Sequence, residues 1–142
     1  MKYSKTNYRW RRLMIALLIW SVAPFLSVAG KQTQKVSPGF SYPESQETIK
    51  VDAEIKSRSL SGRVIDPGGA SASKVLVERL RPGWGKRISA VFSNADGRFS
   101  FSVGSGTHYL RVSKPGFNTM LLKVTVGAKA KSNLRIDLKP SN

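Results

Sequence analysis

The chain has 142 residues, with 24 Lys and Arg against 8 Asp and Glu, one histidine and no cysteine, and its net charge is +16. The absence of cysteine excludes disulfide staples, thiol chemistry and a cysteine-attached lipid, and a lone histidine excludes the multi-histidine metal centres of hydrolases. The positive surplus concentrates anionic partners near the surface, and it favours solubility even without a dedicated partner.

Lys2, Lys5, Arg9, Arg11 and Arg12 fall within the first twelve residues with no acid among them, and residues 13–28 are almost wholly apolar. Ser27-Val28-Ala29 sets small residues at the two positions a signal peptidase reads. Residues 1–29 are therefore expected to be a signal peptide, cleaved after Ala29. The competing possibility is an uncleaved anchor, which would be the chain's one contact with a membrane. The apolar run of 16 residues contains Pro24 and falls short of the ~20 a spanning helix needs. Cleavage leaves 113 residues, enough for one small domain, with 19 basic residues against 8 acidic ones. A chain exported to a bacterial periplasm, or out of the cell, rarely meets nucleic acid. Anionic polysaccharides and other envelope polymers are its expected company.

Residues 30–56 read as a linker ahead of the domain. Gln, Ser, Pro and Lys set the character of residues 30–47, where Val36, Phe40 and Tyr42 are too few to assemble a core. Over 48–56, Ile49, Val51, Ala53 and Ile55 alternate with Lys50, Asp52, Glu54 and Lys56, the pattern of a half-buried strand. It is either an edge strand of the domain or a strand that pairs with a protein partner.

From residue 57 to 139, short apolar runs recur between turn residues at the spacing of an all-β sandwich. Seven strands are predicted, over 60–65, 74–80, 88–93, 99–103, 108–112, 120–126 and 134–138. Asp96-Gly97 reads as a tight hairpin turn, and Lys114-Pro115-Gly116-Phe117 as a turn in which Pro presets φ. Phe99, Phe101, Leu110, Val112, Leu134 and Ile136 are the predicted core. No stretch after Gly30 sustains a 3.6-residue apolar period.

Ser61-Gly62-Arg63-Val64-Ile65-Asp66-Pro67-Gly68-Gly69, Val75 and Val77, Asn94-Ala95-Asp96-Gly97-Arg98-Phe99, Gly106-Thr107 and Ser113-Lys114-Pro115-Gly116-Phe117 follow one another over about residues 58 to 139. In order and spacing they resemble the carboxypeptidase regulatory-like domain, with a departure at His108, where that family usually has Tyr. The resemblance implies a seven-stranded Greek-key sandwich of the transthyretin (prealbumin) kind. It also implies a noncatalytic companion of peptidases, outer-membrane receptors or cell-surface proteins, and related sandwiches bind starch.

The residues themselves carry no catalytic constellation. His108 shares the phase of Leu110 and Val112, so a core or semi-buried position is expected for it, and no nucleophile stands beside it. Asn94 and Asp96 suit a turn better than a calcium site, which wants six to eight oxygens. Gly104-Ser105-Gly106 lacks the helix and Lys of a phosphate-cradling loop. Arg63 stands where a crosslinking Lys of an isopeptide-locked domain would be most useful. No enzyme activity, cofactor or metal is expected.

One loop has binding character. Arg81-Pro82-Gly83-Trp84-Gly85-Lys86-Arg87 sets an indole between two glycines and among three cations. Aromatic faces stack on sugar rings, and Lys and Arg attract carboxylate or phosphate, so Trp84, Arg81, Lys86 and Arg87 form a candidate site for an anionic glycan. The competing expectation is that Trp84 folds back to plug the end of the sandwich. The sequence thus points to an exported noncatalytic sandwich module that binds or scaffolds envelope components. The alternatives are an assembly protein acting by strand addition through 48–56, and an accessory subunit of a surface enzyme or receptor.

Overall fold

The computed structural model describes residues 33–43 and 47–142. The expected signal peptide lies outside them, as do residues 30–32 and 44–46 of the expected linker. Nine strands and no helix occur among the described residues: β1 (Gln34–Lys35), β2 (Thr48–Ser57), β3 (Ser61–Ile65), β4 (Leu76–Leu80), β5 (Arg87–Phe92), β6 (Arg98–Ser100), β7 (Gly106–Ser113), β8 (Thr119–Val126) and β9 (Leu134–Asp137). They form a six-stranded sheet in the order β1-β5-β4-β7-β8-β2 and a three-stranded sheet in the order β6-β3-β9. Two pairs are parallel, β2 with β8 and β3 with β9; the others are antiparallel.

The alternation of apolar residues sets which face each strand buries. Val64, Phe99, Leu134 and Ile136 of the small sheet meet Val77, Leu110, Val112, Leu122 and Val124 of the large one, all buried in one core. Phe101 joins them, so the six core residues expected from sequence are all in place. A sandwich forms because each sheet has an apolar face to hide, and burying it stabilises at about 25 cal/mol per Å².

The seven expected strands are present as β3 to β9, with β1 and β2 added outside them. The expected strand over 99–103 is shorter, since β6 ends at Ser100. The chain must leave the small sheet there to begin β7 in the large one, although Phe101 N–H still donates to Leu60 O at 2.9 Å. Asp96-Gly97 is a turn, but one between sheets: β5 pairs with β4 and β6 with β3, so no hairpin joins β5 to β6. Asn94 Oδ1 accepts N–H bonds from Asp96 and Arg98, and Gly97 N–H donates to Asn94 O. Lys114 to Phe117 does turn a hairpin, between β7 and β8, closed by Phe117 N–H to Lys114 O at 3.1 Å.

Residues 48–56 belong to β2, an edge strand of the chain's own large sheet. Ile55 and Val51 pack on the core, while Lys50, Glu54 and Lys56 are exposed. Residues 33–43 also lie on the domain. Val36, Phe40 and Tyr42 cannot make a core of their own, but Phe92 supplies the missing surface: its ring is 5.4 Å from Phe40 and 6.2 Å from Tyr42. Tyr42 OH donates to Lys74 O at 2.8 Å and pins the end of this strap.

Candidate functional site

β4 has two buried faces. Val77 points into the sandwich core, whereas Leu76, Glu78 and Leu80 are buried without belonging to it. They occupy the outer face of the large sheet, which the strap and the loop between β4 and β5 cover in part. Glu78 is only 1% exposed. Such a carboxylate needs cations and hydrogen bonds to offset its lost hydration, and both come from flanking strands. Arg111 of β7 donates from Nε to Oε2 at 2.6 Å and from Nη2 to Oε1 at 2.9 Å. Arg87 of β5 donates from Nη1 to Oε1 at 3.1 Å, and the same nitrogen reaches Phe40 O of the strap at 2.5 Å. Cross-strand register sets Arg111 directly opposite Glu78, while Arg87 opposes Leu80, two residues along the same strand, and reaches Glu78 diagonally.

The loop between β4 and β5 hangs over this triad. Arg81 N–H donates to Lys86 O at 2.9 Å, and Gly85 N–H to Arg81 O at 3.1 Å, which folds residues 81–86 into a compact turn. A register shift at Arg79/Leu80 adds local twist where the loop departs. Trp84 itself has φ = 65°, a left-handed backbone that costs a bulky side chain about 1–2 kcal/mol. That conformation turns the indole onto the sheet. Its ring meets Tyr109 of β7 edge to face, with centroids 5.0 Å apart, and Lys50 Nζ of β2 stands 5.9 Å from the ring centroid.

Trp84 therefore neither projects into solvent nor plugs the sandwich. It lies half-buried on the outer face, outside the core cluster. There it lines a cleft of about 310 Å³ together with Tyr42 and Pro43 of the strap and with Glu78, Leu80, Arg111 and Leu121. The hydroxyl-bearing residues Ser41, Thr48, Ser113 and Thr119 complete the lining.

The four loop residues singled out from sequence are thus separated. Trp84 faces the cleft, Arg87 is committed to Glu78 and the strap, and Arg81 and Lys86 are exposed on the loop. Arg87 contributes to the site as a support under it. Sequence reasoning missed Glu78, Arg111, Lys50, Tyr109 and Tyr42. One signal was available: Val75-Leu76-Val77-Glu78-Arg79-Leu80 is apolar in both phases, and an acid in such a strand implies that something covers its second face.

His108 sits half-buried, as its phase suggested, and its Nε2–H donates to Gly104 O at 3.1 Å. Asn94 caps its own turn. Arg63 Nε donates to Asp96 O at 3.0 Å, tying β3 to the same turn.

Compared with known families, residues 59–139 match the model of the carboxypeptidase regulatory-like domain. No curated protein matches the chain. The match begins two residues before β3 and ends two residues after β9, so the strap and β2 lie outside it.

Proposed function

Because the chain belongs to the carboxypeptidase regulatory-like domain family, whose domain is a transthyretin-like β-sandwich, noncatalytic in family terms, we propose that it is an exported binding module of the cell envelope. Its ligand on this reading is an anionic glycan. The observation that carries the reading is Trp84, held in a left-handed backbone conformation at the wall of a cleft with Lys50 beside it. Backbone strain of that kind persists only where surrounding structure or function demands it. An amphipathic aromatic wall with hydroxyls and cations around it matches the faces and edges of a sugar ring.

The excess of basic residues supplies long-range attraction to an anionic polymer, which fades as salt rises. The test is binding of the full chain to polygalacturonate, alginate and hyaluronate, with neutral pullulan as control, at two salt concentrations. Binding to an anionic polymer that survives the higher salt and weakens with Trp84→Ala supports the reading. Equal retention of DNA and all three polymers, lost entirely at the higher salt, overturns it, because only unspecific charge would then be at work.

A second reading has an observation of its own. β2 ends the large sheet and is ten residues long, so its outer edge suits addition of a partner's strand. Crosslinking in cell envelopes from a residue placed at position 54 would trap such a partner; recovery of the uncrosslinked chain alone would dismiss it.

A further inference from the structure

We infer that the cleft between the strap and Trp84 takes a single acidic sugar ring, with Lys50 as the residue that selects for its carboxylate. The inference rests on the anionic-glycan reading above and narrows it from a polymer to one ring. Four observations converge on it.

The first is size. About 310 Å³ is at the lower end of the roughly 300–1,000 Å³ of small-molecule sites. Two separate segments line it, the strap through Tyr42 and Pro43 and the β4–β5 loop through Trp84, so a ligand of ring size is contacted by both at once. The second is the character of the walls. Trp84, Tyr42 and Leu121 present apolar surface for ring C–H groups, and the hydroxyls of Ser41, Thr48 and Ser113 can both donate and accept. A ring that is apolar on its faces and hydroxylated at its edge matches both.

The third is charge. Glu78 would repel an anion if it stood alone, but Arg87 and Arg111 hold it with three N–H bonds. Two guanidinium groups against one carboxylate leave that triad net positive. Lys50 adds an ammonium beside Trp84, its Nζ 5.9 Å from the ring centroid. Its flexible stem can carry the charge from the indole to a ligand carboxylate. The fourth is origin. Ser41, Tyr42, Pro43 and Thr48 of the lining lie outside residues 59–139, as does Lys50 beside Trp84, so segments outside the family match complete a cleft whose floor the matched strands supply.

The experiment is competition on the full chain bound to whichever polymer binds tightest, using its free uronic acid, the matching neutral sugar, and sodium sulfate at equal ionic strength. The uronic acid is expected to displace the polymer, the neutral sugar to need about tenfold more, and sulfate to act only through ionic strength. Lys50→Gln should narrow the uronic-to-neutral preference about fivefold with an unchanged melting temperature, while Lys86→Gln leaves the preference as it was. Polymer that binds but is not displaced by its monosaccharide overturns the single-ring cleft and leaves the anionic-glycan reading standing. Displacement by sulfate as effective as by uronic acid likewise overturns it, since the site would then be a plain anion site. Failure of every polymer to bind removes both.

Discussion

Arg111 grips Glu78 across the β4–β7 pair with two hydrogen bonds, Nε to Oε2 at 2.6 Å and Nη2 to Oε1 at 2.9 Å. The carboxylate is buried and the guanidinium is 37% exposed, so the pair straddles the boundary between sheet and cleft. Removing the acid from such a group strands two cations, while removing a cation strands a buried anion. Glu78→Ala should therefore destabilise the domain toward the low end of the roughly 3–5 kcal/mol seen for broken buried pairs, because both arginines can turn to water. Arg111→Ala should cost more than Arg87→Ala, which leaves the two-bond contact intact. Urea midpoints for the three variants check the order.

The turn between the sheets depends on Gly97. Its φ is +70°, and a Cβ there would stand 2.5 Å from Val64 O and 3.1 Å from Ala72 N, both backbone atoms that cannot swing aside. Gly97→Ala should thus cost clearly more than the roughly 1 kcal/mol of a left-handed conformation alone. Gly69 has a φ of +85° with open space around it, so Gly69→Ala reports the conformational cost by itself. Equal losses from the two substitutions would show that the crowding at Gly97 is relieved by movement of the turn.

Phe99 is buried deeply and Phe101 sits at the margin of the core, 2% and 9% exposed. Phe99→Ala should cost about 3–5 kcal/mol and Phe101→Ala somewhat less, since water can reach part of the space that Phe101 vacates. Chemical denaturation of both variants measures the difference.

Most strands of the sandwich were legible because they bury one face, β4 with two buried faces being the exception. His108, Leu110 and Val112, or Leu134, Ile136 and Leu138, announce their phase without reference to anything distant. The strap was not. Phe40 and Tyr42 acquire their meaning from Phe92, some fifty residues on, and no local pattern records that meeting. The candidate site failed for the same reason. Local composition correctly marked Trp84 as unusual, but its partners Tyr109 and Lys50 come from β7 and β2, which only sheet order brings together. Arg87 looked like a free surface cation because Glu78, nine residues before it, lies across the hairpin rather than beside it in sequence.

Beyond the pairing of β1 with β5 and the burial of Val36, the strap is held by aromatic contacts and two side-chain hydrogen bonds, Tyr42 OH to Lys74 O and Arg87 Nη1 to Phe40 O. Tyr42→Phe keeps the ring packing and removes one exposed hydrogen bond, worth about 0.5–1.5 kcal/mol. Hydrogen exchange of residues 33–43 should speed up in this variant while β7 and β8 stay protected, since the strap can open without unfolding the sandwich. Faster exchange throughout the large sheet would instead make the strap part of the cooperative core.

Trp84 separates strain from contact. Its left-handed backbone disfavours any side chain, and its ring gains an edge-to-face contact with Tyr109 and a cation at Lys50. Trp84→Ala removes the contacts and retains the strain, so the domain should lose about 0.5–1.5 kcal/mol. Trp84→Gly removes both. Relief of about 1 kcal/mol at the backbone then offsets the lost contact, and the melting temperature should stay close to that of the parent. If the indole is the ligand platform, both variants lose binding alike despite their different stabilities. A glycine variant less stable than the alanine one would mean that the loop does not hold position 84 in a left-handed conformation, and the strain on which the proposed site rests would be gone.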